Sequence, residues 1–281
     1  MGRQENVRIF EDTQRLYEND PRLRDAVSRS IEQQKLITER MKYPCHSGER
    51  RYENDAEIVV SGRRSFAAAM RYSGKKVCVL NFASATNPGG GVTRGSTAQE
   101  ECLCRCSTLF AALDSSQMWS GFYTPHRCAR DPLHNDDCIY TPDVVVFKSD
   151  TDEPRLQPER MWYTVDVLTC AAPNLRERPG NHMNPGDGDR SIDISADDLL
   201  WLHEKRLRRV ADIAVENGAQ VLILGAFGCG AFRNPPKVVA QAMKTVVEEY
   251  RHCFQTIEMA VYCPPRDDTN YRVFSEMFGK K

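Results

Sequence analysis

The chain has 281 residues, 41% hydrophobic and 9% aromatic, which is enough for the core of one large domain or two small ones. Net charge is −1, from 38 basic against 39 acidic residues, and this excludes broad electrostatic capture of a nucleic-acid backbone. The longest apolar stretches, such as residues 221–227, are far too short to span a bilayer. The first residues, MGRQENVRIFED, contain no apolar leader, and Asn6 breaks the myristoylation pattern, so a soluble, intracellular (cytoplasmic) protein is expected.

In chain order, residues 6–42 read as two mixed-charge helices broken at Asn19, Asp20 and Pro21, with Pro21 suited to a first helical position. A short strand at 57–61 and a helix at 65–72 follow. Further strands are predicted at 76–82, 139–147, 162–170, 221–226 and 257–263. Helical patterns fall at 99–113, 196–216, 236–250 and 268–278. Strands apolar on both faces, alternating with amphipathic helices, predict an α/β sheet covered on both sides. Residues 174–193 form the clearest long loop, rich in Gly, Pro and Asn. No internal repeat is present.

Eleven cysteines are an odd number, and Cys78, Cys170 and Cys263 fall in predicted core strands, so reduced structural thiols are expected. Cys102, Cys104 and Cys106 spread around a predicted helix and do not converge. His126, Cys128, His134 and Cys138 are the one zinc candidate, but the spacing is irregular and no CxxC anchors it, so no metal is expected. His203 and His252 read as surface residues on helices. Trp119, Trp162 and Trp201 read as packing, and Asn174, closing a strand, as a residue at the edge of a site.

The most informative stretch is NFASATNPGGGVTRGSTAQEE, residues 81–101. Gly89, Gly90 and Gly91 remove three Cβ atoms in a row, which permits positive φ and a close approach of backbone to ligand. Ser96 and Thr97 suit an N-cap, with Gln99 or Glu100 completing a capping box. Glu100 and Glu101 then lie in the first helical turn, about 100° apart, so they are not expected to aim at one atom. Two carboxylates beside a glycine loop point to glycosidic chemistry; the alternative is a turn followed by acids that complement the helix dipole. A second loop runs Gly225, Ala226, Phe227, Gly228, Cys229, Gly230, Ala231, Phe232, between the strand VLILG and a helix opening near Pro236. Its amides lie at a strand-to-helix junction, where oxyanions bind. Arg233 occupies the place of the third glycine of a dinucleotide fingerprint, and neither loop ends in the Gly-Lys-Ser/Thr of a Walker loop.

NPGGG, seven residues, then QEE resembles the signature of the microbial-type poly(ADP-ribose) glycohydrolases of the macrodomain superfamily. CVLNFASATNPGGG, QEECLCRCSTLF, IYTPDVVVFKSD, LTCAAPN and LILGAFGCGAFRNPP resemble family blocks in family order, over residues 77–236. The resemblance implies a macrodomain-like mixed sheet flanked by helices, with residues 1–50 as a helical extension packed on a catalytic domain of 51–281. It also implies hydrolysis of the ribose–ribose O-glycosidic bond, with poly(ADP-ribose) or ADP-ribosylated protein as substrate and ADP-ribose as product, without cofactor, metal or membrane.

By the same resemblance Glu101 is the acid/base and Glu100 fixes ribose hydroxyls. Asn87 orients the distal ribose beside Gly89–Gly91 and Gln99, and the loop from Gly225 to Phe232 cradles the diphosphate, with Phe227 and Phe232 packing on ribose. A mono-ADP-ribosyl hydrolase and a non-catalytic ADP-ribose reader are the alternatives, although readers commonly lack the QEE glutamates. One conflict stands in the sequence: a helix N-terminus lowers a carboxyl pKa, whereas a general acid at neutral pH needs it raised.

Overall fold

The structure, a computed structural model, describes residues 2–181, 186–264 and 267–279. Helices α1 (Arg3–Asn19) and α2 (Pro21–Gln33) meet at Asp20, whose side chain accepts from the Arg22 amide and caps α2. The expected second helix stops at Gln33. Lys35–Ile37 is instead a short strand, β1, antiparallel to β4 (Cys138–Val146). The chain continues through β2 (Glu57–Ser61), α3 (Ser65–Ala69), β3 (Val77–Phe82), α4 (Gln99–Cys106) and α5 (Leu109–Leu113). The predicted helix over 99–113 is thus two helices. Ser107 and Thr108 separate them, because the Ser107 hydroxyl turns back to the Leu103 carbonyl and the Thr108 amide donates to Val145 O.

A helical run not anticipated from sequence then occupies 116–129. It is α6 (Ser116–Met118), a π turn over Trp119–Tyr123, and α7 (Thr124–Ala129). After β4 come β5 (Tyr163–Cys170), α8 (Ala196–Glu216), β6 (Val221–Leu224), α9 (Pro236–Glu249), β7 (Thr256–Ala260) and α10 (Thr269–Phe278). Residues 182–185 of the predicted long loop lie outside the described residues.

Among the described residues seven strands form one mixed sheet in the order β1-β4-β5-β3-β6-β7-β2. From β5 to β2 every pairing is parallel, and β4 and β1 add antiparallel partners at one edge. Alternation along the central strands explains the two layers of helix. Val77 and Val79 of β3 and Val221 and Ile223 of β6 pack with residues of α1, α3, α4 and α5. Their neighbours Cys78, Leu80, Leu222 and Leu224 pack with α8, α9 and α10. Among the described residues no helix is long and apolar enough to cross a membrane.

The N-terminal helix is built into this core. Phe10 is fully buried, with its ring 4.8 Å edge-on from that of Phe110. Asn6 donates to Gly95 O at 3.1 Å, and the Thr13 hydroxyl donates to Arg105 O at 2.6 Å. Removing the Phe10 ring leaves a cavity beside the glycine loop, so Phe10→Ala is expected to cost about 3–5 kcal/mol in urea unfolding. A loss below about 1 kcal/mol would show that α1 is only loosely attached.

Candidate active site

The parallel strands end along one edge of the sheet, and the chemistry-bearing segments leave from those ends. Asn81, near the end of β3, is buried and donates to Glu100 Oε1 and to Thr169 Oγ1 of β5, both at 3.1 Å. Gln99 acts like a further piece of strand. Its Oε1 accepts from the Phe82 amide at 2.9 Å, and its Nε2 donates to Leu80 O at 2.8 Å and to Ser65 Oγ at 2.9 Å. Glu100 Oε2 accepts from the Ser84 amide at 2.7 Å. Helix α4 is therefore docked onto β3 by the first two side chains of its first turn.

That docking displaces the expected capping box. The N-cap residue is Ala98, with no side-chain cap, because Gln99 and Glu100 are spent on β3 and the loop after it. The two carboxylates also approach each other more closely than their separation around the axis led one to expect. A Cβ on Gly90 would lie 2.6 Å from Glu101 Oε1 and 3.2 Å from Glu100 Oε2, so both carboxylates flank this one residue. Gly90 has φ +58°, and any side chain there would meet both acids. The next amide, Gly91 N–H, donates to Glu101 Oε1 at 2.9 Å. Glu101 Oε2 is buried without a hydrogen-bond partner among the described residues.

Both glutamates line a cavity of about 560 Å³, together with Phe82, Gly90, Gly91 and Gln99. Ala226, Gly228, Gly230, Ala231 and Phe232 line it from the second glycine loop. The amides of Gly228, Gly230, Ala231 and Phe232 donate to no acceptor among the described residues. Gly228 has φ +76°, and a Cβ there would lie 2.5 Å from Asn234 Nδ2 and 2.6 Å from Ala172 Cβ. Gly230 differs: nothing lies within 4 Å of the Cβ it lacks.

Several predicted site residues stand behind this lining. Gly89, Gly225 and Cys229 support the loops from outside the cavity wall. Phe227, expected against a ribose, is fully buried, with its ring 5.7 Å from that of Phe82 and 5.9 Å from that of His203. Burial among core side chains leaves it no face for a sugar; Phe232 alone of the pair faces the cavity. Asn87 is also outside the lining, and its Oδ1 accepts from Arg127. Asn174 is buried and ties the long loop to Asp187 through a 2.6 Å hydrogen bond.

Sequence reasoning missed Arg64, Ser84, Asp150, Ala172, Arg176 and Tyr262, all in the wall. Ala172 and Tyr262 each lie two residues beyond a strand end, so the strand-end rule was the signal that could have found them. Arg64 stacks over the Tyr262 ring at 4.0 Å, and Asp150 accepts from the Phe66 and Ala67 amides at the start of α3, pairings made only by the fold.

His203, expected at the surface, is fully buried and bonded to Asn234 Oδ1 at 2.8 Å; Trp201, expected to pack, is 61% exposed. The zinc candidates are committed elsewhere. His126 bonds Phe122 O and Asn135 Oδ1, His134 bonds Ala172 O, Cys128 is exposed, and Cys138 lies opposite Cys170 in the sheet.

Burial decides the electrostatic conflict. Both carboxyls are almost wholly out of water, and desolvation outweighs the helix N-terminus and the amides that favour the charged form. Glu100 is pushed from 4.5 to about 8, first by burial and further by the charge of Glu101. Glu101 is also raised, by burial, against the pull of the Gly91 amide.

The protein falls in the macrodomain class of α/β enzymes. Within that class, the family described as microbial-type PARG, catalytic domain, matches residues 4–149. The chain belongs to this family, the microbial-type poly(ADP-ribose) glycohydrolases. The crystal structure of poly(ADP-ribose) glycohydrolase from Thermomonospora curvata is 28% identical, with a TM-score of 0.80 over 98% of this chain and 100% of that one. The same enzyme bound to the inhibitor ADP-HPD gives 0.79 at the same identity and coverage. The enzyme from Deinococcus radiodurans in complex with ADP-ribose is 30% identical over 89% of this chain and 96% of that one, with a TM-score of 0.72. No curated protein matches the sequence.

The raised Glu100 has a consequence for stability. Between pH 4.5 and about 8 the unfolded carboxyl is ionised while the folded one holds its proton, so stability falls as pH rises through that window and levels off above it. Glu100→Gln removes this part of the slope. In urea titrations the variant should gain on the wild type across the window, by a few kcal/mol at about 1.4 kcal/mol per pKa unit. Parallel stability–pH curves would show that Glu100 stays ionised in the fold.

Proposed function

We propose that the protein hydrolyses the ribose–ribose O-glycosidic bond of poly(ADP-ribose) and releases ADP-ribose, with Glu101 as the acid and base. The carrying observation is the state of Glu101: one oxygen is held by the Gly91 amide, the other has no partner, and the carboxyl borders the cavity with its pKa raised. Glu101 protonates the departing 2′-oxygen as positive charge builds on the anomeric ribose. The resulting carboxylate takes a proton from the attacking water, and hydroxide bonds to the anomeric carbon.

Glu100, pinned by Asn81 and Ser84, accepts from ribose hydroxyls. Asn87 orients the distal ribose, Gly89, Gly90 and Gly91 bring backbone against it, and Gln99 holds the helix that carries both acids. The loop from Gly225 to Phe232 takes the diphosphate on its amides, with Phe232 against the sugar. Phe227 and Cys229 brace that loop from behind.

The chain in this reading is one working unit, residues 1–50 being a helical extension on a catalytic domain of 51–281; the contacts of Asn6, Phe10 and Thr13 support it. No metal is needed, because proton donation and water activation both fall to Glu101. The free cysteines fit a reducing compartment, which supports a cytoplasmic location.

Glu101→Gln keeps the side chain's size and loses its proton. It should retain ADP-ribose binding while turnover of poly(ADP-ribose) falls by about 10²–10⁴-fold or more. Wild-type turnover should persist in a chelator and decline as pH rises through the raised Glu101 pKa, a limb the variant lacks. Near-normal turnover of the variant would remove Glu101 from its role, and chelator-sensitive activity restored by a divalent ion would require a metal.

Gly230→Val tests the second loop more cleanly than any change at Gly228, since only Gly230 has open space beyond its Cα. The variant should keep its melting temperature and lose about tenfold or more in ADP-ribose affinity, as expected when one or two hydrogen bonds are obstructed. Unchanged affinity by calorimetry would move the diphosphate off this loop.

A further inference from the structure

Among the described residues that line the cavity, Arg64 and Arg176 are the only cations. Arg64 is committed. It donates to Cys102 Sγ at 3.1 Å, pairs with Asp152 and lies over the Tyr262 ring. Arg176 keeps donors in reserve. Its Nε donates to Asn174 Oδ1 at 3.0 Å and its Nη2 to Pro179 O at 2.6 Å. Nη1, with two further N–H groups, donates to no acceptor among the described residues and remains accessible.

The guanidinium is held beside the second glycine loop. The Leu175 amide donates to Phe232 O at 2.9 Å, and the Arg176 guanidinium carbon lies 5.7 Å from the centroid of the Phe232 ring, which faces the cavity. Asn174, which holds Nε, is buried and donates to Asp187 Oδ2 at 2.6 Å. The other Asp187 oxygen faces His134 Nε2 at 3.5 Å, with both side chains buried. A side chain anchored on buried polar groups in this way loses little freedom when a ligand arrives. Its charge is incompletely met: burial opposes it, the Asp187 carboxylate offsets that in part, and Arg233 opposes it further. An arriving anion would relieve this. The neighbouring amides of Gly228, Gly230, Ala231 and Phe232 can hydrogen-bond an anion but carry no net charge.

We infer that Arg176 is a binding residue for the diphosphate of the ADP-ribose unit, its Nη1 adding a formal positive charge to the amides of the second glycine loop. The inference rests on the reading of that loop as the diphosphate site. A guanidinium fits the task because it stays charged when partly buried and presents its donors in a fixed plane to phosphate oxygens.

Calorimetric titration with ADP-ribose over a range of salt concentrations tests this. Arg176→Gln removes the charge and keeps much of the side chain. It is expected to weaken binding about 10–100-fold, the scale of a charge-assisted hydrogen bond, with the fold retained by circular dichroism. Added salt should weaken wild-type binding more steeply than binding to the variant, because salt screens the charge that the variant lacks. Arg176→Lys, which keeps the charge without the planar fork, should lose less affinity and keep the salt dependence. Should Arg176→Gln fail to fold, Arg176→Lys is read alone: a loss of about 3–10-fold is expected, and unchanged affinity overturns the inference.

Two results overturn the inference alone while Gly230→Val still weakens binding: Arg176→Gln at the wild-type affinity, or a loss whose salt dependence matches that of the wild type, which would mark a merely structural role. Gly230→Val at the wild-type affinity would remove the diphosphate reading of the loop, and the inference with it.

Discussion

Two neighbouring carboxylates are kept out of water at the start of one helix, and the rest of the site is arranged around that burden. Desolvating a carboxylate is costly unless donors meet it, and here every nearby donor is supplied by backbone or by Asn81. The Ser84 and Gly91 amides come from the two ends of a single loop, so the loop's path is dictated by where the acids sit. Gly90 must be a glycine because the space a side chain would need is already filled by carboxylate oxygen. The same burial raises both pKa values, which is the electrostatic condition that a general acid at neutral pH requires.

The sheet serves this by offering its carboxyl edge. Five strands end side by side, and loops leaving β3 and β6, which are hydrogen-bonded neighbours, become the two walls of the cavity. Gln99 is the joint between helix and sheet: it occupies the amide of Phe82 and the carbonyl of Leu80, groups that a continuing neighbour strand would otherwise take. Its amide thus sets how far α4 stands from the strand ends. Arg105 extends the same discipline outward, donating to Ser96 O at 2.5 Å while its own carbonyl is held by Thr13 of the N-terminal helix.

Much of this was legible in the residue order, for identifiable reasons. Strands buried on both faces, such as Val77–Phe82, announce themselves by continuous apolar composition, and QEE after three glycines is distinctive at short range. What was missed depends on partners distant in sequence. Lys35–Ile37 continues a helical pattern and becomes a strand only because β4 offers it an edge. The capping box was sound local chemistry, yet Phe82 and Ser84 compete better for Gln99 and Glu100 than the helix's own amides do. Phe227 sits in a ligand-type loop but turns inward, since Phe82 and His203 provide an apolar seat there. A π turn has no sequence signature of its own, so the break in the helical run at Trp119–Tyr123 could not be read in advance.

The position of β3 at the middle of the sheet has a consequence for how the chain is made. Its cross-strand hydrogen bond to β5 spans 88 residues, and the contact between Lys76 and Gln220, beside its pairing with β6, spans 144. During synthesis the strand that leads into the first glycine loop therefore waits, unpaired on one side, until residue 221 has emerged. Such long-range parallel pairing folds slowly and exposes apolar edges while it waits. The second glycine loop follows β6 directly, so the cavity gains that wall only after the wait ends.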